Sequence, residues 1–186
     1  MENQTKKSWF RRHPFLTGFG ILILIIIITS SGDSTPKKVG ETGSDTVTTE
    51  QSKDKAYAVG DKVQLGKSIV SVNSVSFSQG GQFNKPQSGN EWVNLSVTIE
   101  NTDSSQQYIT TLGQMFIKDA VGNSYQVAVT DKTLEDMNSR LDGAIIAKSK
   151  RTGWVGFEIP KGATGLQFQY NGSMWGGGTV VVDLGK

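Results

Sequence analysis

Hydrophobic and polar positions alternate with a period of two through most of the chain beyond Ala56, and this predicts strands. The clearest run is Glu91 to Asn101 (EWVNLSVTIEN): Val93, Leu95, Val97 and Ile99 share one face, while Trp92, Asn94, Ser96, Thr98 and Glu100 share the other. Gly153, Val155, Phe157 and Ile159 form one face of a second strand ending at Pro160, and Leu166, Phe168 and Tyr170 one face of a third. Further strands are expected at Lys62 to Leu65, Ser68 to Phe77, Gln107 to Thr111, Met115 to Asp119, Ser124 to Val129 and Thr179 to Leu184. Turn signals separate them at Leu65-Gly66-Lys67, Asn101-Thr102-Asp103, Ala120 to Asn123 and Lys161-Gly162-Ala163. Short strands without alternating helices favour an all-β, antiparallel sandwich over a parallel sheet. The exception is residues 132 to 141 (KTLEDMNSRL), where Leu134, Met137 and Leu141 follow helical spacing behind a Thr133…Asp136 capping pattern. A short helix is expected there, plugging one end of the core rather than docking a partner.

The N-terminal third has a different pattern. Residues 15 to 29 carry no charge, and Phe15, Leu16 and the run Ile21, Leu22, Ile23, Leu24, Ile25, Ile26, Ile27, Ile28 leave no polar face for a soluble helix. From Phe15 to Ser31 a helix would measure about 25 Å, short for an average bilayer but able to span one with Trp9 and Phe10 at the headgroups. Before it, Lys6, Lys7, Arg11 and Arg12 against Glu2 leave the tail at +3. That layout belongs to a signal anchor or a cleaved secretory signal, and both place the C-terminal part of the chain outside the cytoplasm. Retained, it is a single-pass anchor with a cytoplasmic N-terminus; cleaved, it yields a secreted protein. The small residues Thr29, Ser30, Ser31 and Gly32 permit cleavage, although no A-x-A site is present. The chain thus divides into a basic tail (1–14), an anchor or signal segment (15–31), a disordered linker (32–55) and a sandwich ectodomain (56–186). The linker is Ser, Thr, Gly and charge with valines only at 39 and 47, a coil reaching roughly 25 to 30 Å root-mean-square.

Composition narrows the chemistry. There are no cysteines and one histidine, His13, in the basic tail, so Ser-His-Asp and Cys-His nucleophile activation are excluded from the ectodomain. The usual thiolate and imidazole ligands of zinc are missing there too, and no cofactor or metal is expected. Beyond Ala56, 11 basic and 11 acidic residues cancel, so the net charge of +2 reflects the tail and nothing advertises a nucleic-acid partner. Ser52-x-x-Lys55 has the spacing of a Ser-Lys pair but lies in the linker, where nothing desolvates the lysine. Asp131, Glu135, Asp136 and Asp142 are the densest carboxylates: candidates for glycoside hydrolysis, or simply a solvated helix surface. Asp103, Asp119, Asp131 and Asp142 offer oxygens for calcium, but no EF-hand spacing accompanies them. Lys148, Lys150 and Arg151 form a basic cluster that reads first as a strand-flanking gatekeeper.

Two loops exceed what a sandwich connection requires. Residues 78 to 90 (SQGGQFNKPQSGN) carry Phe83, and residues 171 to 178 (NGSMWGGG) carry Met174 and Trp175. An exposed aromatic on a loop can stack on a sugar or dock a protein; the alternative is that both rings fold back over the sandwich ends. Trp92, on the outward face of its strand, is either a cross-strand packing residue or part of a flat binding surface.

Several of these segments together resemble the DUF4352 family. They are Tyr57-Ala58-Val59-Gly60-Asp61, Ser68 to Phe77, Gly89-Asn90-Glu91-Trp92-Val93 running into Val97 to Thr102, Phe116 to Asp119, Gly122 to Tyr125, and GWVGFEIPKG at 153–162 with Leu166 to Tyr170. The resemblance implies an immunoglobulin-like sandwich of the MPT63 type, commonly tethered outside Gram-positive cells, and it offers no catalytic residues. The expected function is a non-catalytic, membrane-tethered module at the bacterial cell envelope that binds an envelope protein or wall polymer. A carboxylate-dependent wall-glycan hydrolase is the alternative.

Overall fold

The computed structural model describes residues 35–39, 56–173 and 177–186. The anchor expected from Phe15 to Ser31 lies outside the described residues, as do Met174 and Trp175. Among the described residues no helix is long and apolar enough to cross a membrane.

The strands are β1 (Lys37–Lys38), β2 (Tyr57–Ala58), β3 (Val63–Leu65), β4 (Ser68–Ser78), β5 (Asn90–Asn101), β6 (Gln107–Ile109), β7 (Met115–Lys118), β8 (Ser124–Ala128), β9 (Gly143–Ile145), β10 (Lys150–Pro160), β11 (Gln167–Asn171) and β12 (Thr179–Asp183). Ten of them pair in the order β1-β3-β4-β5-β10-β8-β7-β11-β12-β2, while β6 pairs with β9. The β10–β8 link consists of only Gly156↔Ala128 and Phe157↔Val127, so the row folds there into two layers. The inner faces bring Val93, Leu95, Val97, Ile99, Val155, Phe157 and Ile159 against Met115, Ile117, Phe168, Tyr170, Val180 and Val182, all buried. Phe157 and Phe168 meet edge to face across the layers, with ring centroids 6.4 Å apart. The result is a mostly-β sandwich, as the alternation predicts.

One irregularity in β4 follows from its sequence. Val70 and Val72 occupy even positions and Val75 and Phe77 odd ones, so a regular strand would turn one pair outward. A bulge brings Val75 back against the core, while Phe77 beyond it stays exposed: pairing with β5 steps from Val72↔Val97 to Ser74↔Ser96. The skipped Asn73 donates its amide to Ser96 Oγ (3.3 Å) and Thr98 Oγ1 (3.0 Å).

Three expectations need correction. The helix expected over 132–141 is a single turn, α1 (Asp131–Glu135), capped by Thr130 and Thr133 rather than by Thr133 and Asp136. Leu141 is buried, but Leu134 and Met137 are exposed, so they do not plug the core. The chain instead runs from α1 along the side of β10 that β8 leaves uncovered, where Ser139 O accepts the Trp154 N–H at 3.0 Å. That hydrogen bond satisfies a backbone donor on an unpaired edge, which a regular helix in this place would leave open. The strand expected to reach Thr111 stops at Ile109, because the chain turns over Thr111–Gln114 with Gly113 at φ 90. Finally, residues 37–38 of the expected disordered linker form β1, antiparallel to β3 with Lys37↔Gln64 and Lys38↔Val63. Backbone pairing makes a strand without apolar side chains, which is why the polar sequence there does not announce one. The short β2 and β9 are likewise unannounced.

Two glycines of β10 allow the crossover to lie this close. A Cβ at Gly156 would sit 2.2 Å from Thr130 Cγ2, and one at Gly153 would sit 2.3 Å from Ser139 O. Gly156→Ala is therefore expected to destabilise the protein by about 1–3 kcal/mol through overpacking. Gly81→Ala, with open space around its Cβ position, is expected not to destabilise it. Chemical denaturation of the full chain in detergent micelles checks both.

Candidate functional site

The outer face of β5 near its start is where the expected surface changes character. Trp92 does point outward, but it is only 4% exposed, so it is a packing residue and not part of a flat binding surface. Its cover is the loop 79–89. Gly80, at φ 78, lays its backbone against the indole: a Cβ there would lie 3.0 Å from Trp92 Nε1 and 2.2 Å from Asn84 O. The indole N–H has no hydrogen-bond partner among the described residues.

The loop is pinned along its length. Gly81 N–H donates to Asn84 O (2.9 Å), Asn84 Nδ2 to Val129 O (3.1 Å), and Gln87 N–H to Glu158 Oε1 (2.7 Å). Glu158 Oε1 also accepts from Asn90 Nδ2 at 2.9 Å. Beneath the loop lies a polar knot. Asp131 accepts from Ser78 Oγ (2.5 Å), Asn94 Nδ2 (3.0 Å) and the Lys132 N–H (3.0 Å), while the Thr130 hydroxyl donates to Asn94 Oδ1. Asn94 and Thr130 are fully buried, and each is satisfied within the knot. Burial pushes the Asp131 carboxyl up, but the donors Ser78, Asn94 and the Lys132 N–H outweigh it and hold the carboxyl below its ordinary range.

Phe83 stands out of this pinned loop with 95% of its surface exposed, so it does not fold back over the sandwich. Val129, Leu134 and Met137 on the adjoining crossover are also exposed. They escape a sequence reading because Leu134 and Met137 carry the spacing of a buried helical face, and Val129 reads as the end of a strand.

The second loop lies elsewhere. Gly172 packs beside Leu65 Cδ2, and Gln114 Nε2 donates to Asn171 O at 3.3 Å, placing the β11–β12 connection near the start of β4. Loop 79–89 follows the end of β4, whose length separates the two by about 30 Å at ~3.3 Å per residue. Phe83 therefore lies far from Asn171 and Gly172, where the β11–β12 connection begins. Three further apolar residues are exposed around the β6–β9 pair: Tyr108 on β6, Leu112 in the nearby 111–114 turn and Ile146 just after β9. The doublet Ile145-Ile146 was a usable signal, because neighbouring residues of an extended chain point to opposite sides.

The acidic candidates are engaged separately. Glu135 pairs with Lys132 (2.6 Å), Asp136 accepts from Ser139 Oγ (2.5 Å), and Asp142 accepts from the Thr111 N–H (2.8 Å). Asp103 pairs with Lys67 (2.7 Å), and Asp119 ties its own hairpin through the Asn123 N–H (2.8 Å) and Tyr125 OH (2.8 Å). Among the described residues no three His, Cys, Asp or Glu side chains gather as a metal site would require. In the basic cluster, Lys148 Nζ donates to Thr102 O (2.5 Å), and Arg151 binds Asp142 O (2.7 Å) and Ala144 O (2.8 Å), fastening β9 beside β10.

The depressed Asp131 carboxyl makes a pH prediction. A folded pKa below the unfolded value of about 3.9 contributes stability that is present above that value and lost as pH falls through the folded one. Asp131→Asn is expected to be less stable than wild type at pH 7, with the gap narrowing below about pH 4. Denaturant midpoints measured between about pH 7 and pH 2 test this, and a constant gap would contradict it.

The fold has solved counterparts. The yjhA protein of Bacillus subtilis aligns at 22% identity and TM-score 0.52, covering 62% of this chain and 81% of that one. A putative lipoprotein of B. subtilis, ycdA, aligns at 15% identity and TM-score 0.52, covering 66% of this chain but only 38% of its own. MPT63, a secreted protein of Mycobacterium tuberculosis, aligns at 13% identity and TM-score 0.48, over 69% of this chain and 98% of that one. No curated protein matches the chain in sequence. The family described as "Domain of unknown function (DUF4352)" matches residues 57–180, which take in the sandwich from β2 to the start of β12 and leave out β1, and the chain belongs to that family.

Proposed function

We propose that the chain is a non-catalytic binding module of the cell envelope. In this reading residues 15–31 are a retained single-pass anchor with the N-terminus in the cytoplasm. They hold an immunoglobulin-like sandwich outside, and it engages an envelope protein or wall polymer through the Phe83 corner. Similarity to a putative lipoprotein agrees with an extracytoplasmic setting.

The observation that carries the binding role is Phe83: a ring 95% exposed on a loop tied to Val129 and Glu158. Leaving so much apolar surface in water contributes nothing to folding, since about 25 cal/mol per Å² is gained only on burial. A pinned loop also loses little conformational freedom when a partner covers it, so the ring is pre-organised as an anchor. Each carboxylate considered for hydrolysis is instead engaged by Ser78, Lys132, Ser139 or Thr111, which favours the non-catalytic reading.

Co-sedimentation of the full chain with purified cell-wall sacculi and with isolated envelope proteins is the test. Phe83→Ala is expected to weaken retention about tenfold or more without lowering the denaturation midpoint, while Trp175→Ala leaves retention unchanged. Equal retention by wild type and Phe83→Ala would sink the assignment of this corner. Release of soluble glycan fragments by the folded protein would support the hydrolase alternative.

A further inference from the structure

The N-terminal strand points to a second property. β1 is a short strap laid on β3, which would otherwise end its sheet. Its grip is specific but small. Tyr57 OH donates to Pro36 O (2.9 Å), Lys38 Nζ pairs with Asp61 Oδ1 (3.1 Å), and the Val39 N–H donates to Lys62 O (2.8 Å). Lys37, Lys38 and Val39 remain exposed, so little apolar surface is buried and the backbone ladder supplies most of the affinity.

The covalent connection does not oblige this strap to bind its own sandwich. Residues 40–56 can stretch to about 55 Å at ~3.3 Å per residue, whereas the grip itself closes over hydrogen-bond distances. Any second copy presents the same acceptor: the β3 edge, the Asp61 carboxylate and the Tyr57 hydroxyl, each matched to Pro36-Lys37-Lys38-Val39. We propose that the β3 edge is a self-association surface that takes the Thr35–Val39 segment of a second copy in the same register. Two such segments exchange reciprocally, giving a strand-swapped dimer with two-fold symmetry. Docking within one chain competes at an effective concentration on the order of millimolar, so exchange gains ground as chains are crowded together.

The absence of cysteine in the natural sequence makes a direct test available. Lys37 and Gln64 are opposed in the ladder, within the reach of a disulfide. Full chains carrying Lys37→Cys or Gln64→Cys, with different tags, are mixed in vesicles of phosphatidylethanolamine and phosphatidylglycerol and mildly oxidised. The expected result is a disulfide joining the two tags, at least about tenfold above that formed by Lys37→Cys with Val121→Cys, an exposed position on a distant hairpin. The yield should rise with protein-to-lipid ratio and fall several-fold when Asp61→Asn is added to the Gln64→Cys chain. A mixed yield no greater than the Val121→Cys background overturns the proposal. This holds whether a chain carrying both cysteines closes on itself, which makes β1 a fixed strap, or fails to close, which leaves the β3 edge without β1.

Discussion

The far side of β10 is the constraint around which the molecule is arranged. β5 satisfies one side of this strand over its whole length, but β8 pairs with the other only at Gly156 and Phe157. The remaining backbone groups cannot be left unpartnered beside a core that excludes water. The crossover between β8 and β9 supplies the Ser139 carbonyl to Trp154, and Arg151 reaches back to the carbonyls of Asp142 and Ala144. This requires the crossover to approach the strand closely, and glycine at 153 and 156 is what makes the approach sterically possible.

The Phe83 corner is a consequence of that approach. Once Thr130 lies on Gly156, its hydroxyl meets Asn94, and Asp131 is positioned to receive Ser78 and Asn94. A buried asparagine and threonine are costly unless every polar atom is matched, so the knot couples β4, β5 and the crossover into one cooperative unit. The loop after β4 rests on that unit through Gly80 and Trp92 and is secured at Val129 and Glu158. Its aromatic residue is thus held outward by a satisfied polar foundation, an arrangement in which rigidity and exposure are compatible.

Both ends of the ten-stranded row are formed by the N-terminal segment: β1 lies on β3, and β2 lies parallel on β12. Open edges are templates for association, and short edge strands with charged residues are a usual way to limit it. Here Lys37 and Lys38 supply the charge, and the segment that covers one edge is joined to the segment that covers the other by the chain from 40 to 56. Edge protection and self-association then depend on the same few backbone hydrogen bonds.

Strand positions, the all-β class and the inward rows of β5, β10 and β11 were legible from alternation, because a half-buried strand needs only a local period of two to declare its buried face. The absence of cysteine and of histidine beyond His13 likewise restricts chemistry without any structure. The outward face was another matter. Trp92 and Asn94 read as solvent-facing from parity alone, yet both are buried, since the cover of an outer face is decided by chain segments that are not its strand neighbours, in the case of Asn94 one nearly forty positions away. The same limit hid β1, whose residues have no apolar signature and are strand only because β3 offers a ladder. Periodicity records which side of a strand avoids water; it carries no information about which distant backbone will arrive to exclude water from the other.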